Sequence, residues 1–244
     1  MTSTALPPAL ADPDQESDAG VDGGVAAYRQ LRDAIVSGAF HPNQRLVEAD
    51  LARMLGAGRT TIRAALVRLD QEGLVVREPN RGARVRLVTE KEALEIEQVR
   101  SSLEQLVVRH AAERAGESDL ADLRAILAEM SRLVEAGDPL GYSELNGRFH
   151  QRIWRIADHE VASRLLFNLK SQSIRFQYRT ILEPGRPRHS LEEHRKIVEA
   201  LAAGDPDRAE AVMREHLNHV VETLKAAITR NHQGPALEGS TYRI

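Results

Sequence analysis

The chain has 244 residues, 42% hydrophobic but only 4% aromatic, with no cysteine and a net charge of −3. This length suits one large domain or two smaller ones with a real core, and the Ala- and Leu-rich, aromatic-poor composition favours helices. The missing cysteine excludes a disulfide scaffold and any thiolate metal site, while the lack of an ~18-residue apolar run or a basic-then-apolar leader excludes a membrane span and a signal peptide and points to a cytoplasmic protein.

Residues 1–24 are rich in Pro, Ala, Asp and Gly without a period, and read as a disordered acidic tail. Residues 1–25 hold five acids and no Lys or Arg; residues 26–88 hold 11 Arg against six acids; residues 89–232 hold 21 Lys and Arg against 24 acids. A basic block between acidic ones is the footprint of a nucleic-acid module joined to a different one. Within 25–88, "VAAYRQLRDAIVSG" places Val25, Tyr28, Leu31 and Ile35 at helical spacing and stops at Gly38. "FHPNQRL" reads as a turn. "VEADLARMLG" predicts a short helix with Leu51, Met54 and Leu55 on one face. After the tight "GAG" at 56–58, a second short helix carries Ile62, Leu66 and Leu69 and ends at Gly73. Two short helices joined this way form a helix-turn-helix. "LVVREPNRGARVRLV" then alternates around Pro79-Asn80-Arg81-Gly82, which predicts a hairpin with a basic tip, a wing.

The second helix begins "GRTTIRAAL". In a helix-turn-helix this helix enters the major groove and its first residues reach bases and phosphates. Arg59 and Arg63 stand at i, i+4 and share a face; each can fork to a guanine edge or clamp a phosphate. Thr60 and Thr61 can donate hydrogen bonds to phosphate, and the helix N-terminus adds N–H donors and positive dipole. Residues 31–85 resemble the winged helix-turn-helix of GntR-type bacterial transcription regulators along their whole length. Asn43 stands where the family's turn has Gly, Ala49 where an Arg often reaches DNA, Gly58 where a capping Ser sits, and Thr61 where Pro is common. The resemblance implies that Arg59, Thr60, Thr61 and Arg63 carry recognition and that Arg81 and Gly82 put the wing tip in the minor groove.

From Thr89, a predicted N-cap, the pattern becomes long amphipathic helices. Leu94, Val99, Leu103, Leu106 and Val107 make one apolar stripe. Breaks at 116–118, 137–139, 159, 183–185 and 204–206 divide residues 89–232 into six helices, which predicts an all-α antiparallel bundle behind the winged head, with residues 233–244 a flexible tail. The bundle carries "LNGRFHQRI", "SLEEHRKIVEAL" and "VMREHLNHV". Asn146 and His150 lie at i, i+4 on one helix, His194 begins a second, and His216 lies midway along a third. Three imidazoles and an amide oxygen converging in a bundle would make a divalent-metal site with open positions; imidazole suits Zn, Ni, Cu or Fe without choosing among them, and Zn or Ni is the expectation. Glu193 and Glu215 adjoin two of these histidines, but neighbouring helical residues do not share a face. His219 is a competing ligand candidate; His41, His110, His189 and His232 read as ordinary surface or core residues.

Residues 89–230 resemble the helical effector domain of the FadR-type branch, the FCD class, through "VRSSLE", "LNGRFH", "EHRKIVEAL" and "MREHL". In that class an Asp or Asn and three His bind a metal, and those positions fall on Asn146, His150, His194 and His216. Arg100 in "VRSSLE" matches an effector-domain arginine of the family; Arg175 is a second effector-binding candidate. Three neutral imidazoles and a neutral amide leave the full 2+ charge on an ion with vacant positions, which favours an anionic oxygen ligand. The expected molecule is therefore a homodimeric repressor of a pseudo-palindromic operator, controlled by a small carboxylate effector at the metal. The link between Arg86 and Thr89 is too short for a free tether, so the bundle can act on the head. The rival readings are a regulator for which the ion is the signal, and a metal-dependent enzyme with a DNA-binding head; no nucleophile motif or well-placed base supports the enzyme.

Overall fold

The structure is a computed structural model and describes residues 22–78 and 82–233. It divides into two compact units, one ending at Val88 and the other beginning at Thr89.

The first unit opens with α1 (Asp22–Val36). This helix starts earlier than the sequence suggested: residues 22–24 are its first turn and not the end of the acidic tail. The glycines at 23 and 24 sit where the first amides lack helical acceptors in any case. α2 (Glu48–Leu55) and α3 (Arg59–Gln71) are the two expected short helices, and Gly56, at φ 62, ends α2 in the left-handed region. The run "FHPNQRL" is more than a turn. Its Arg45–Leu46 forms a short strand, β1, that pairs with β3 (Gly82–Val85), itself paired to β2 (Val75–Glu78) in the antiparallel order β1-β3-β2. A two-residue strand has no period to read; only its partners Arg84 and Ala83 reveal it.

Leu31, Leu46, Ile62, Leu66 and Leu69 form the centre of this unit's core. Tyr28 donates its hydroxyl proton to the Glu72 carboxylate, 2.6 and 2.8 Å from the two oxygens, and Arg68 lies over its ring, so α1 is tied to the end of α3. Asn43, at φ 65, takes the left-handed backbone that a turn Gly would otherwise supply; Asn is among the few residues that do so routinely. Gly82 has no such substitute. Its φ is +88, and a Cβ there would stand 2.4 Å from the Leu46 carbonyl oxygen. Gly82→Ala is therefore expected to destabilise the winged unit by at least about 1–3 kcal/mol, read as a lower midpoint in thermal unfolding. An unchanged midpoint would mean that the hairpin can move off β1 freely.

The second unit contains, among the described residues, α4 (Glu90–Arg114), α5 (Glu117–Ala136), α6 (Pro139–Ala157), α7 (Glu160–Ile181), α8 (Arg186–Ala202) and α9 (Pro206–Gln233). Thr89 caps α4, its hydroxyl accepting the Glu92 N–H at 3.2 Å. Asp138 caps α6 ahead of Pro139. α4 is central, packed against α6, α7, α8 and α9. Leu123, Met130, Phe149, Ile153, Leu166 and Ile197 are fully buried between the helices. None of the helices in the described residues is long and apolar enough to cross a membrane.

The buried face of α4 differs from the apolar stripe read in the sequence. Val99 and Leu106 are 51% and 38% exposed, whereas Glu97, Arg100 and Glu104 are inside with Ala93, Val107 and Ala111. The stripe that faces the bundle is the one whose small residues let helices approach and whose charges find partners there.

Candidate functional site

The tip of α3 is uncapped: Gly58 has the extended backbone of an N-cap but no side chain to bond the first amides. Ile62, Ala65, Leu66 and Leu69 fix the helix to its unit. That leaves Arg59, Thr60 and Arg63 exposed and Thr61 half-buried. Arg59 makes no hydrogen bond or ion pair among the described residues. Arg63 is held. Its Nε and Nη2 donate to the two carboxylate oxygens of Glu48 on α2, at 3.1 and 2.8 Å. The hydrogen bond from Arg63 keeps the Glu48 carboxyl below its usual range. Sequence reading missed Glu48, because fifteen residues and a turn separate it from Arg63; only the packing of α2 on α3 brings them together. Gly82 lies at the start of β3, pressed on Leu46. Arg81, and the side chain of Arg175, lie outside the described residues.

In the second unit α6, α8 and α9 bring His150, His194 and His216 together. One ring nitrogen from each lies within 4.8 Å of the others. Ring centroids are 5.4 Å apart for His150 and His194, 5.5 Å for His150 and His216, and 4.7 Å for His194 and His216. All three are buried. Phe149 fixes the His194 ring, centroid to centroid 4.5 Å. Both nitrogens of His194, Nδ1 of His150 and Oδ1 of Asn146 are buried without a hydrogen-bond partner. Buried polar atoms left unpaired cost about 1–3 kcal/mol each, so a cation that took Asn146 Oδ1 and the one lone pair of a neutral His194 ring would satisfy two of them at once. His219 does not join the cluster; it is half exposed and bonds Glu193 at 2.8 Å through Nδ1.

Two carboxylates back the rings. Glu193 lies 2.6 Å from His216 Nδ1, which leaves Nε2 of that ring for a metal, and accepts two bonds from Arg186 at 3.0 and 2.9 Å. Glu104 accepts the Trp154 indole N–H at 2.8 Å and stands 3.6 Å from His150 Nδ1. Such carboxylate–imidazole pairs set the orientation and basicity of metal-binding histidines. Burial alone would raise both carboxyls. The imidazole and arginine neighbours outweigh it and hold each down to about 2. Burial pushes His194 well below its ordinary value and His216 down to about 4, so both rings are neutral and able to coordinate near neutral pH. Glu193 was set aside as a ligand in the sequence because it adjoins His194; it serves His216 instead, from the opposite side. Glu215 is exposed.

Beside the rings is a small cavity. Asn146, His150 and His216 line one part of it, and Arg100, Lys170 and Arg186 supply its charge. Arg100 is already committed. Its Nη1 donates to both Glu97 oxygens at 2.9 and 2.8 Å, and its Nη2 stands 3.5 Å from Glu104.

The pattern of the FCD domain matches residues 95–219, and that of the bacterial regulatory proteins of the gntR family matches residues 24–85. The chain belongs to the GntR family. Among its relatives, the Nta operon transcriptional regulator of Aminobacter aminovorans is 31% identical over 210 residues, covering 82% of this chain and 97% of that protein. The HTH-type transcriptional repressor RspR of Escherichia coli strain K12 is 29% identical over 198 residues, 81% of this chain and 87% of its own. The fold is shared with E. coli McbR/YncC, with a TM-score of 0.72 and 23% identity over 87% of this chain and all of that one. This GntR protein is thus a DNA-binding transcription regulator and not an enzyme.

Proposed function

We propose that this GntR regulator is a repressor whose operator affinity is set by a small carboxylate effector bound at a metal ion in the FCD domain. The carrying observation is the convergence of three buried imidazoles, two of which, His150 and His216, line a cationic cavity together with Asn146. Asn146, His150, His194 and His216 would hold a divalent transition ion, Zn or Ni. When bound, the ion supplies a 2+ centre with open positions for a carboxylate oxygen. The cavity beside it favours an organic effector over the ion itself as the signal. RspR, a named repressor among the relatives, supports repression as the direction of control.

Arg59, Thr60, Thr61 and Arg63 would read and grip DNA, with Arg81 and Gly82 at the wing. A homodimer would present two such tips to a pseudo-palindromic operator. Val99 and Leu106 on α4, and Val161 and Leu165 on the neighbouring α7, leave apolar side chains exposed that a second copy would cover. Effector binding would then shift operator affinity by about 1–3 kcal/mol, or 5–150-fold.

The test is calorimetric titration of small carboxylates into zinc-loaded and metal-stripped protein, with operator binding followed in parallel. Binding to the loaded form alone, with weaker operator affinity, is the expected result. Equal affinity for the two forms would rule out effector binding through the metal.

A further inference from the structure

Three cationic side chains line the cavity, and they are not equivalent. Arg100 is held by Glu97 and Glu104, and Arg186 by Glu193. Lys170, on α7, has no hydrogen bond or ion pair among the described residues; its one ring neighbour is Trp154, 5.8 Å from Nζ. The side chain is half-buried, and its ammonium, with three N–H donors, feels the Glu104 and Glu97 charges without a hydrogen bond to either. Burial, and then the Arg100 charge, draws it down to about 8 against the pull of Glu104 and Glu97, which still leaves it cationic near neutral pH. α6 makes room for it. A Cβ on Gly147, the residue after Asn146, would meet Lys170 Nζ at 2.9 Å.

We infer that Lys170 is the effector's second anchor: it takes an anionic oxygen group that the metal does not, so the effector is a dianion such as a dicarboxylate. The inference rests on the effector reading above and sharpens it. A neutralised arginine gains little from a further carboxylate, since its own partner must be displaced or shared. An unpaired ammonium gains a charge-assisted hydrogen bond outright. Gly147 is then a positioning residue, kept free of a side chain so that the ammonium can lie against the helix beside Asn146.

The experiment compares acids of equal chain length, succinate against butyrate and glutarate against valerate, on zinc-loaded protein. Binding is read by calorimetry and by the fluorescence of Trp154, the chain's single tryptophan, which lies beside Lys170 and bonds Glu104. Wild type is expected to prefer the dicarboxylates roughly 10-fold or more, the worth of a hydrogen bond to a charged group. Lys170→Met should remove that preference while leaving zinc affinity and monocarboxylate affinity unchanged. Gly147→Ala should weaken dicarboxylate binding without loss of folding stability, since Ala suits a helix better than Gly. A dicarboxylate preference that survives in Lys170→Met, or no preference in wild type, overturns the inference. Failure of the metal reading shows separately, as no zinc uptake by wild type; the same comparison on the metal-free protein then decides Lys170.

Discussion

His194→Ala is expected to abolish metal uptake and effector response while leaving DNA binding intact. His194 is the decisive position because neither of its ring nitrogens has a protein partner, in contrast to His216, whose Nδ1 is taken by Glu193. Removing a group that merely supports a ligand costs 10–100-fold in metal affinity, so removing a ligand should cost at least that, about 100-fold or more. Zinc by elemental analysis should fall from stoichiometric to background. Folding gives a second readout. A ligand that binds only the native state stabilises it by about 4 kcal/mol at a thousand times its dissociation constant, so zinc should raise the melting midpoint of the wild-type FCD domain and not that of the variant. Without metal the substitution should be mild: it opens a small space beside Phe149 but removes two unpaired buried nitrogens, each costing about 1–3 kcal/mol. Undiminished zinc in His194→Ala would show that the ion sits elsewhere.

At the other end of the chain, Arg63→Ala should weaken operator binding roughly 5–150-fold. Zinc content and the FCD domain should be untouched. Glu48→Gln should do something different. A carboxylate among arginines proposed to face DNA would repel phosphate, so its removal should raise affinity for nonspecific DNA and steepen its dependence on salt. The carboxylate also fixes Arg63 through Nε and Nη2, which leaves Nη1 to reach a base edge. Losing that fork frees the guanidinium for any phosphate, so discrimination between operator and scrambled duplex should fall. Titration of both duplexes at two salt concentrations reads the two effects apart. A variant that loses affinity for both duplexes equally would make Glu48 a structural residue with no part in readout.

Much of this was legible in the sequence because the relevant signals act locally. Each break in the bundle is marked by Gly, Asp or Pro within a few residues: Gly137 takes the left-handed turn that ends α5, and Asp138 and Pro139 start α6. Asn146 and His150 share a face whatever surrounds them, because i, i+4 geometry belongs to the helix itself. Alternation of side chains on either side of residues 79–82 was enough for β2 and β3.

The rest depended on partners distant in the chain. Nothing near Glu104 announces that it will be buried; Trp154, fifty residues on, supplies the indole N–H that bonds it, and Ser173 does the same for Glu97 across seventy-six. Without those partners, the rule that charges stay outside would have been the better guess for α4, and it put Val99 and Leu106 in the core where Glu97, Arg100 and Glu104 belong. The same limit hid β1, the fork between Glu48 and Arg63, and the place of Lys170 against Gly147. By itself the sequence determined where the bundle breaks into helices and which residues ride on one helix face, since those follow from backbone sterics and turn geometry within a few residues. Only the tertiary structure decided which charges are buried and which find a partner, since burial and Coulomb pairing are properties of neighbours in space.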